Sequence, residues 1–377
     1  MNSTQLSYIP LGKIEVSGIA SESALQGQMT KIWTRGGITS DDEKFHVVLD
    51  GIQGLINLAL SKIDQPFSWD QVSSFALLIS KDGEAKLFFN NIPIEAKFRL
   101  KVPIEAGQIV YETMVADVHR LRLGLEFDQD SKVFICLKCN WKFIVYFDLH
   151  REEFFSNDAM EKILGHLYRT VYFNEEFSAL ENEKSKTKLF QIGWFPFIEI
   201  LGREFRSISR NIDSADILNH AESELINSFD EKRIKVLRAR WLANPASSGK
   251  NAIFASGLEA FVRGDNIACI KILVTEIEGV ARLFAFGQES RPTILMKAYI
   301  LEKGSQKAES ESTLYFPDHF SEYINNVFFA QFNLNNTSVH VASRHTVGHG
   351  VAADSLYTRT KALQVILTLD QVLFYLL

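Results

Sequence analysis

The chain has 377 residues, 46% hydrophobic and 23% charged, which excludes a disordered tail and leaves room for two or three domains with real cores. A formal net charge of −6 and a pI near 5.9 remove any global electrostatic case for nucleic acid or an anionic membrane, so a basic site has to be local. Three cysteines, Cys136, Cys139 and Cys269, cannot staple a chain of this size; Met1 to Gln5 open no leader-like pattern, and no apolar run reaches the ~18 residues of a membrane span, so a reducing cytoplasm is the expected setting.

Residues 1 to about 45 are polar and Gly/Ser-rich, with a turn signal at Gly36-Gly37 and a helix start at Ser40 to Glu43. Phe45, Val48, Leu49, Ile52, Leu55, Ile56, Leu58, Ala59 and Ile63 recur at helical spacing, giving one amphipathic helix that stops before Pro66. The period then falls to two. Val72 to Ile79, Ala85 to Phe89, Ile94 to Val102, His119 to Phe127, Val133 to Leu137 and Trp141 to Leu149 are β-rich runs separated by turn chemistry such as Lys81-Asp82-Gly83 and Asn90-Asn91. Short turns pair strands antiparallel, so an antiparallel sheet or small sandwich is expected over 72–150, with one face covered by the preceding helix.

From Asp158 the helical period returns, and Met160, Ile163, Leu164, Leu167 and Val171 share a face. Glu181 to Lys188 reads as an exposed charged connector. Beyond it helices are expected at Trp194 to Ile208, Ala215 to Phe229, Lys232 to Trp241, Ile253 to Val262, Ile267 to Phe286, Phe320 to Phe332 and in two C-terminal segments. The stripe Ile267, Ile270, Val274, Ile277, Ala281, Phe284 and the wider one from Ala362 to Leu376, interrupted by Asp370, suit a bundle. The fold class is therefore α+β, divided as an N-terminal segment (1–70), a β-rich domain (71–155), a helical connecting region (156–246) and a C-terminal helical bundle (247–377).

The densest chemistry is Ser343-Arg344-His345-Thr346-Val347-Gly348-His349-Gly350, an arginine, two histidines and two glycines in one short stretch. The Arg344-x4-His349 spacing, the Glu278-Gly279 pair inside an apolar helix and the apolar last helix with its aspartate resemble the HEPN superfamily of helical-bundle RNases over residues 247–377, with Gln288 to Pro317 as an insertion-like departure. What that resemblance implies is a metal-independent endoribonuclease, toxin-like or acting in phage defence, with two motifs facing across a homodimer and RNA as substrate, and with the β-rich half sensing a trigger or restraining the nuclease. Cleaving RNA through its own 2′-hydroxyl needs a proton acceptor, a proton donor and a fixed cation beside the phosphorane. His349 titrates near neutrality, Arg344 holds phosphate oxygens in a planar fork, and His345, Ser343 and Glu278 are expected to orient or support them. On an uninterrupted helix positions five apart diverge by about 140°, so a helix end at Gly348 or Gly350 is needed to turn His349 towards Arg344.

Other readings stand beside these. Arg344 and His349 suit a helix C-terminus as a plain cap, and His345 and His349 at i, i+4 would suit one metal if Glu276, Glu278 or Asp354 came near; no metal and no cofactor is expected. Lys232, Arg233, Lys235, Arg238 and Arg240, with Trp241 at their end, form either an RNA-tracking face or a solvated face partnered by Asp230 and Glu231. Cys136 and Cys139 have CxxC spacing but fall in an expected strand without a second pair, and Ser248-Gly249-Lys250 lacks the upstream glycine of a phosphate loop. A non-catalytic helical binding or assembly module of the same fold is the alternative to the nuclease.

Overall fold

Turns with left-handed residues fold the β-rich half on itself: Gly83 (φ +86°) and Asn140 (φ +57°) each sit between strands that pair as hairpins. A computed structural model describes residues 6–63, 67–126, 128, 130–150, 157–286, 293–308, 312–329, 344–348, 350 and 352–376, and the chain divides into two units, 1–99 with 118–174 and 100–117 with 175–377.

The first unit contains β1 (Ile9–Lys13), β2 (Ile19–Ala20), β3 (Ile32–Trp33), β4 (Arg35–Thr39), α1 (Phe45–Ser61), β5 (Ser74–Ile79), β6 (Glu84–Phe89), β7 (Ile94–Leu100), β8 (Val115–Leu123), β9 (Lys132–Cys139), β10 (Lys142–Asp148) and α2 (Asn157–Tyr172). Six strands form one sheet in the order β1-β6-β5-β9-β10-β4, and every pairing in it is antiparallel. β1 and β4, its two edges, come from the N-terminal residues that carry no clear period. β2 with β3 and β7 with β8 form separate two-stranded ribbons.

Both faces of the sheet are covered, which is why the alternation of its strands is only partial. Phe75, Leu77, Ile79, Phe134, Cys136, Val145 and Phe147 point to the α1 side, where Phe45, Val48, Ile52 and Ile56 meet them. Ala76, Leu78, Val133, Ile135, Leu137, Ile144 and Tyr146 point to the other side, against Met160, Leu164, Leu167 and Val171 of α2. Each buried aliphatic side chain contributes about 1.5–3 kcal/mol, so both layers are strongly held. The sequence assigns the first cover to α1; the second cover, α2, falls in the stretch read from its period as a connecting region.

The second unit is helical: α3 (Asn174–Glu181), α4 (Glu183–Gln191), α5 (Arg203–Ser209), α6 (Ala215–Ser228), α7 (Glu231–Ala243), α8 (Asn251–Val262), α9 (Asn266–Phe286), α10 (Thr293–Ala308), α11 (Pro317–Val327), α12 (Arg344–Gly348) and α13 (Arg359–Tyr375). After Asp148 no strand occurs among the described residues. Every residue of α13 from Ala362 to Tyr375 is buried, and α9 is its main partner. A helix buried all round must satisfy its own polar side chains. Gln364 donates to the Ile192 carbonyl at 2.8 Å, Thr368 to the Gln364 carbonyl at 2.8 Å, and Gln371 accepts from the Ile198 amide at 2.8 Å.

Two local expectations are corrected. Glu181 to Lys188 is largely exposed, as expected, but it is helix rather than a connector: Asn182 caps α4 by accepting from the Ser185 amide at 3.0 Å, and Lys186 alone is buried, between Glu183 (2.8 Å) and Glu322 (3.0 Å). Trp194 to Ile208 is not one helix: residues 194–197 are irregular and buried, between a left-handed Gly193 (φ +81°) and a single turn at 198–200, and Gly202 (φ +93°) lets the chain restart as α5. Pro196 within that run removes a helical donor. The Gln288 to Pro317 departure carries α10. Among the described residues no helix is long and apolar enough to cross a membrane.

Candidate functional site

The Arg344 to Gly350 stretch begins as the one-and-a-half-turn helix α12, which packs on α9 with Thr346 and Val347 buried. The helix stops at Gly348. The Gly350 amide then donates to the Val347 carbonyl at 3.2 Å, the Ala352 amide to the Thr346 carbonyl at 3.1 Å, and Gly350 takes φ +70°. A side chain at 350 would be strained there, so glycine is what lets the chain leave the helix. Ser343 and His349 lie outside the described residues, as do the side chains of Arg344 and His345. On α9, Glu278 is buried and pairs with Arg282 one turn on, while Glu276 pairs with Lys250 at 2.7 Å. Glu278 thus has a cation of its own helix beside it, and Lys250 is an ion-pair partner rather than the end of a phosphate loop.

The cationic helix α7 is organised differently from a solvated face. Arg240 donates to both oxygens of Asp370 at 2.8 Å and to Glu199 at 2.7 Å, and Trp241 donates its indole N–H to Asp370 at 2.7 Å. Arg233 reaches Glu199 at 3.1 Å and Glu204 at 2.6 Å, with its guanidinium 3.8 Å from the Phe229 ring centroid. Arg238 pairs with Glu259 at 3.0 Å. Lys232 and Lys235 are exposed. The spacing has a simple cause: on α7, residues 233, 237, 240 and 241 share one face, with Leu237 and Trp241 buried, so Arg233 and Arg240 are carried inwards with the apolar stripe.

Arg233, Arg240, Glu199 and Glu204 line a cavity of about 590 Å³ together with Lys101. Burial pulls the Lys101 amine down to about 8, against the pull of Glu199 and Glu204 in the opposite direction. Burial also works to raise Glu199, but the combined field of Arg240, Arg233 and Lys101 holds its carboxyl below the usual range. Asp370 is raised by burial, with Arg240 opposing. Arg240 is held charged: its two carboxylates outweigh its own desolvation. Three cations and three carboxylates (Lys101, Arg233, Arg240; Glu199, Glu204, Asp370) leave the cluster balanced. Its chemistry is cohesion between the 3₁₀ turn, α7 and α13. Arg233 and Arg240, which the sequence offers as RNA-tracking or solvated cations, instead meet carboxylates of the same chain, and the lone acid in the apolar stripe, Asp370, is the sequence signal for a buried cation partner.

Cys136 and Cys139 lie three apart on β9, which puts them on opposite faces of the sheet, one in each apolar layer. Burial pushes the thiols of Cys136, Cys139 and Cys269 up to about 12, 11 and 12, so none is a ready thiolate. Among the described residues no group of three His, Cys, Asp or Glu side chains is arranged to hold a metal. Compared with protein-family models, with curated proteins and with solved structures, the chain finds no match in any of the three.

Proposed function

We propose that the chain is a HEPN-type, metal-independent endoribonuclease that cuts RNA as a homodimer through its C-terminal helices, a toxin-like or phage-defence effector whose β-rich unit senses a trigger. The observation that carries the reading is the end of α12: the helix bearing Arg344 stops one residue short of position 349, and Gly350 beyond it is left-handed. The resemblance needs such an end, because an unbroken helix would hold the two motif positions about 140° apart. In the proposed chemistry His349 takes or returns the proton at the 2′-oxygen or 5′-oxygen, and Arg344 stabilises the charge gathering on the phosphorane. One Arg-His pair supplies too few groups for acid and base together, and a two-fold axis doubles them. Lys232 and Lys235 remain as exposed cations for an RNA backbone.

The alternative, a non-catalytic helical binding module, draws on α7, where Arg233, Arg238 and Arg240 are spent on carboxylates of the same chain. Purified protein with mixed cellular RNA decides between them. The nuclease reading expects cleavage that persists in EDTA and leaves 2′,3′-cyclic phosphate ends. Intact RNA under conditions where the protein is toxic in cells, or cleavage that EDTA stops, removes it. Full activity from a species that light scattering shows to be monomeric removes the dimer.

A further inference from the structure

A second cavity, of about 890 Å³, opens at the beginning of α13 and is large enough for a small metabolite. Among the described residues three charged side chains are in its wall. Glu322 is compensated by Lys186 at 3.0 Å. Glu222 accepts the Trp194 indole N–H at 2.6 Å, and burial raises its carboxyl, with that hydrogen bond opposing. Lys361 is the exception. No carboxylate pairs with it among the described residues; its ammonium lies 4.7 Å from the Phe328 ring centroid, and burial lowers it to about 8.

The rest of the wall is rich in uncharged hydrogen-bonding groups, among them Gln191, Asn219, Asn326 and Thr360. The first turn of the seventeen-residue α13, capped by Thr358, forms part of it, and the positive end of that helix dipole adds to Lys361. A partly buried ammonium with no carboxylate beside it, at a helix N-terminus, lowers its free energy by taking an anion. Glu222, the carboxylate in the same wall that Lys186 does not pair, disfavours a second negative charge.

We infer that this cavity binds a small organic monoanion, its carboxylate or phosphodiester head on Lys361 and the first turn of α13, and its hydroxyl or amide groups on the uncharged wall. Carboxylate and phosphodiester present the same single charge on two oxygens, and the site is defined by that charge. The inference is independent of the nuclease reading: it involves neither Arg344 nor His349.

The test is competition for the Lys361 amine in the wild-type protein. Acetylation by a small activated ester at pH 8, near the value to which the amine is lowered, is followed by mass spectrometry of the Lys361 and Lys232 peptides. Dimethyl phosphate, D-gluconate or sulfate is added at about 10 mM, where simple mass action gives about fivefold protection for a low-millimolar ligand. The expected result is that dimethyl phosphate or gluconate slows Lys361 about fivefold, leaves Lys232 unchanged, and that sulfate protects less than about twofold. Lys361→Arg, which keeps the charge, retains calorimetric binding of the protecting anion, and Lys361→Met loses it. Unchanged Lys361 labelling with both monoanions overturns the inference, as does equal protection by sulfate.

Discussion

Replacing Arg240 by methionine keeps the apolar stem of the side chain and deletes only the guanidinium that three carboxylate oxygens share. Glu199 keeps Arg233 at 3.1 Å, but Asp370, whose side chain is 5% exposed, is left with the Trp241 indole alone. Breaking a buried pair by removing one member costs about 3–5 kcal/mol, because the survivor is an uncompensated buried charge. For a unit of roughly two hundred residues each kcal/mol moves Tm by about 2–4 °C, so the loss is roughly 6–20 °C. Circular dichroism at the helix band reads it directly. The pH dependence has a definite sign. With the arginine gone, burial raises the Asp370 carboxyl further above its unfolded value, so the folded state binds more protons between those two values and loses stability as pH rises through them. The deficit of Arg240→Met is therefore smaller at pH 4–5 than at pH 7, within the same order-of-magnitude frame. Adding Asp370→Asn recovers part of it, a coupling of about 0.5–3 kcal/mol. A Tm within about 2 °C of wild type, with weakened RNA binding instead, would refute the reasoning and return Arg240 to the RNA-facing role read from sequence.

Glu176 is buried with Arg206 at 3.0 Å and the Gly202 amide at 3.1 Å, and burial lifts its carboxyl to about 7. The folded chain holds this proton to higher pH than the unfolded chain, so ionising it between about 4.5 and 7 costs on the order of 3 kcal/mol. The stability of wild type minus that of Glu176→Gln, from urea unfolding, should fall by that order across the window; a constant difference contradicts it. Gly165 of α2 lies on the β8 backbone, where an added Cβ would meet the Arg120 Cα at 2.6 Å. Gly165→Ala is expected to cost about 1–3 kcal/mol despite alanine's better helix propensity, and a stabilised variant would show that α2 does not pack this closely.

Most strands from Ser74 to Asp148 were legible because their turns are chemically explicit and their apolar runs have strand length, but the run expected at His119 to Phe127 is β8, Val115–Leu123, which starts and ends four residues earlier. β1 and β4 were not, since Ile9–Lys13 and Arg35–Thr39 are short, Gly-bearing edges whose pairing with β6 and β10 is a long-range matter. The break at Trp194 to Phe197 was hidden by three aromatic neighbours, Trp194, Phe195 and Phe197, that suit a buried helix as well as a buried irregular segment, although Pro196 marked it. At the candidate site, Gly348 and Gly350 announced the helix end that α12 has. The inward turn of Arg233 and Arg240 was harder to read. A run of cations looks solvated until the acids that meet it, Glu199, Glu204 and Asp370, are brought in from distant parts of the chain.

The central claim rests on two side chains, and the direct measurement is single-turnover cleavage of RNA in EDTA by wild type, Arg344→Ala and His349→Ala, with Tm matched to show that the fold survives. His345→Ala is included as an orienting residue with a smaller expected loss. A proton-transferring imidazole and a cation at developing phosphorane charge are each worth about 10²- to 10⁴-fold, so both substitutions should lower the rate by at least the smaller factor. Cleavage by either variant at the wild-type rate, with the fold intact, contradicts the account.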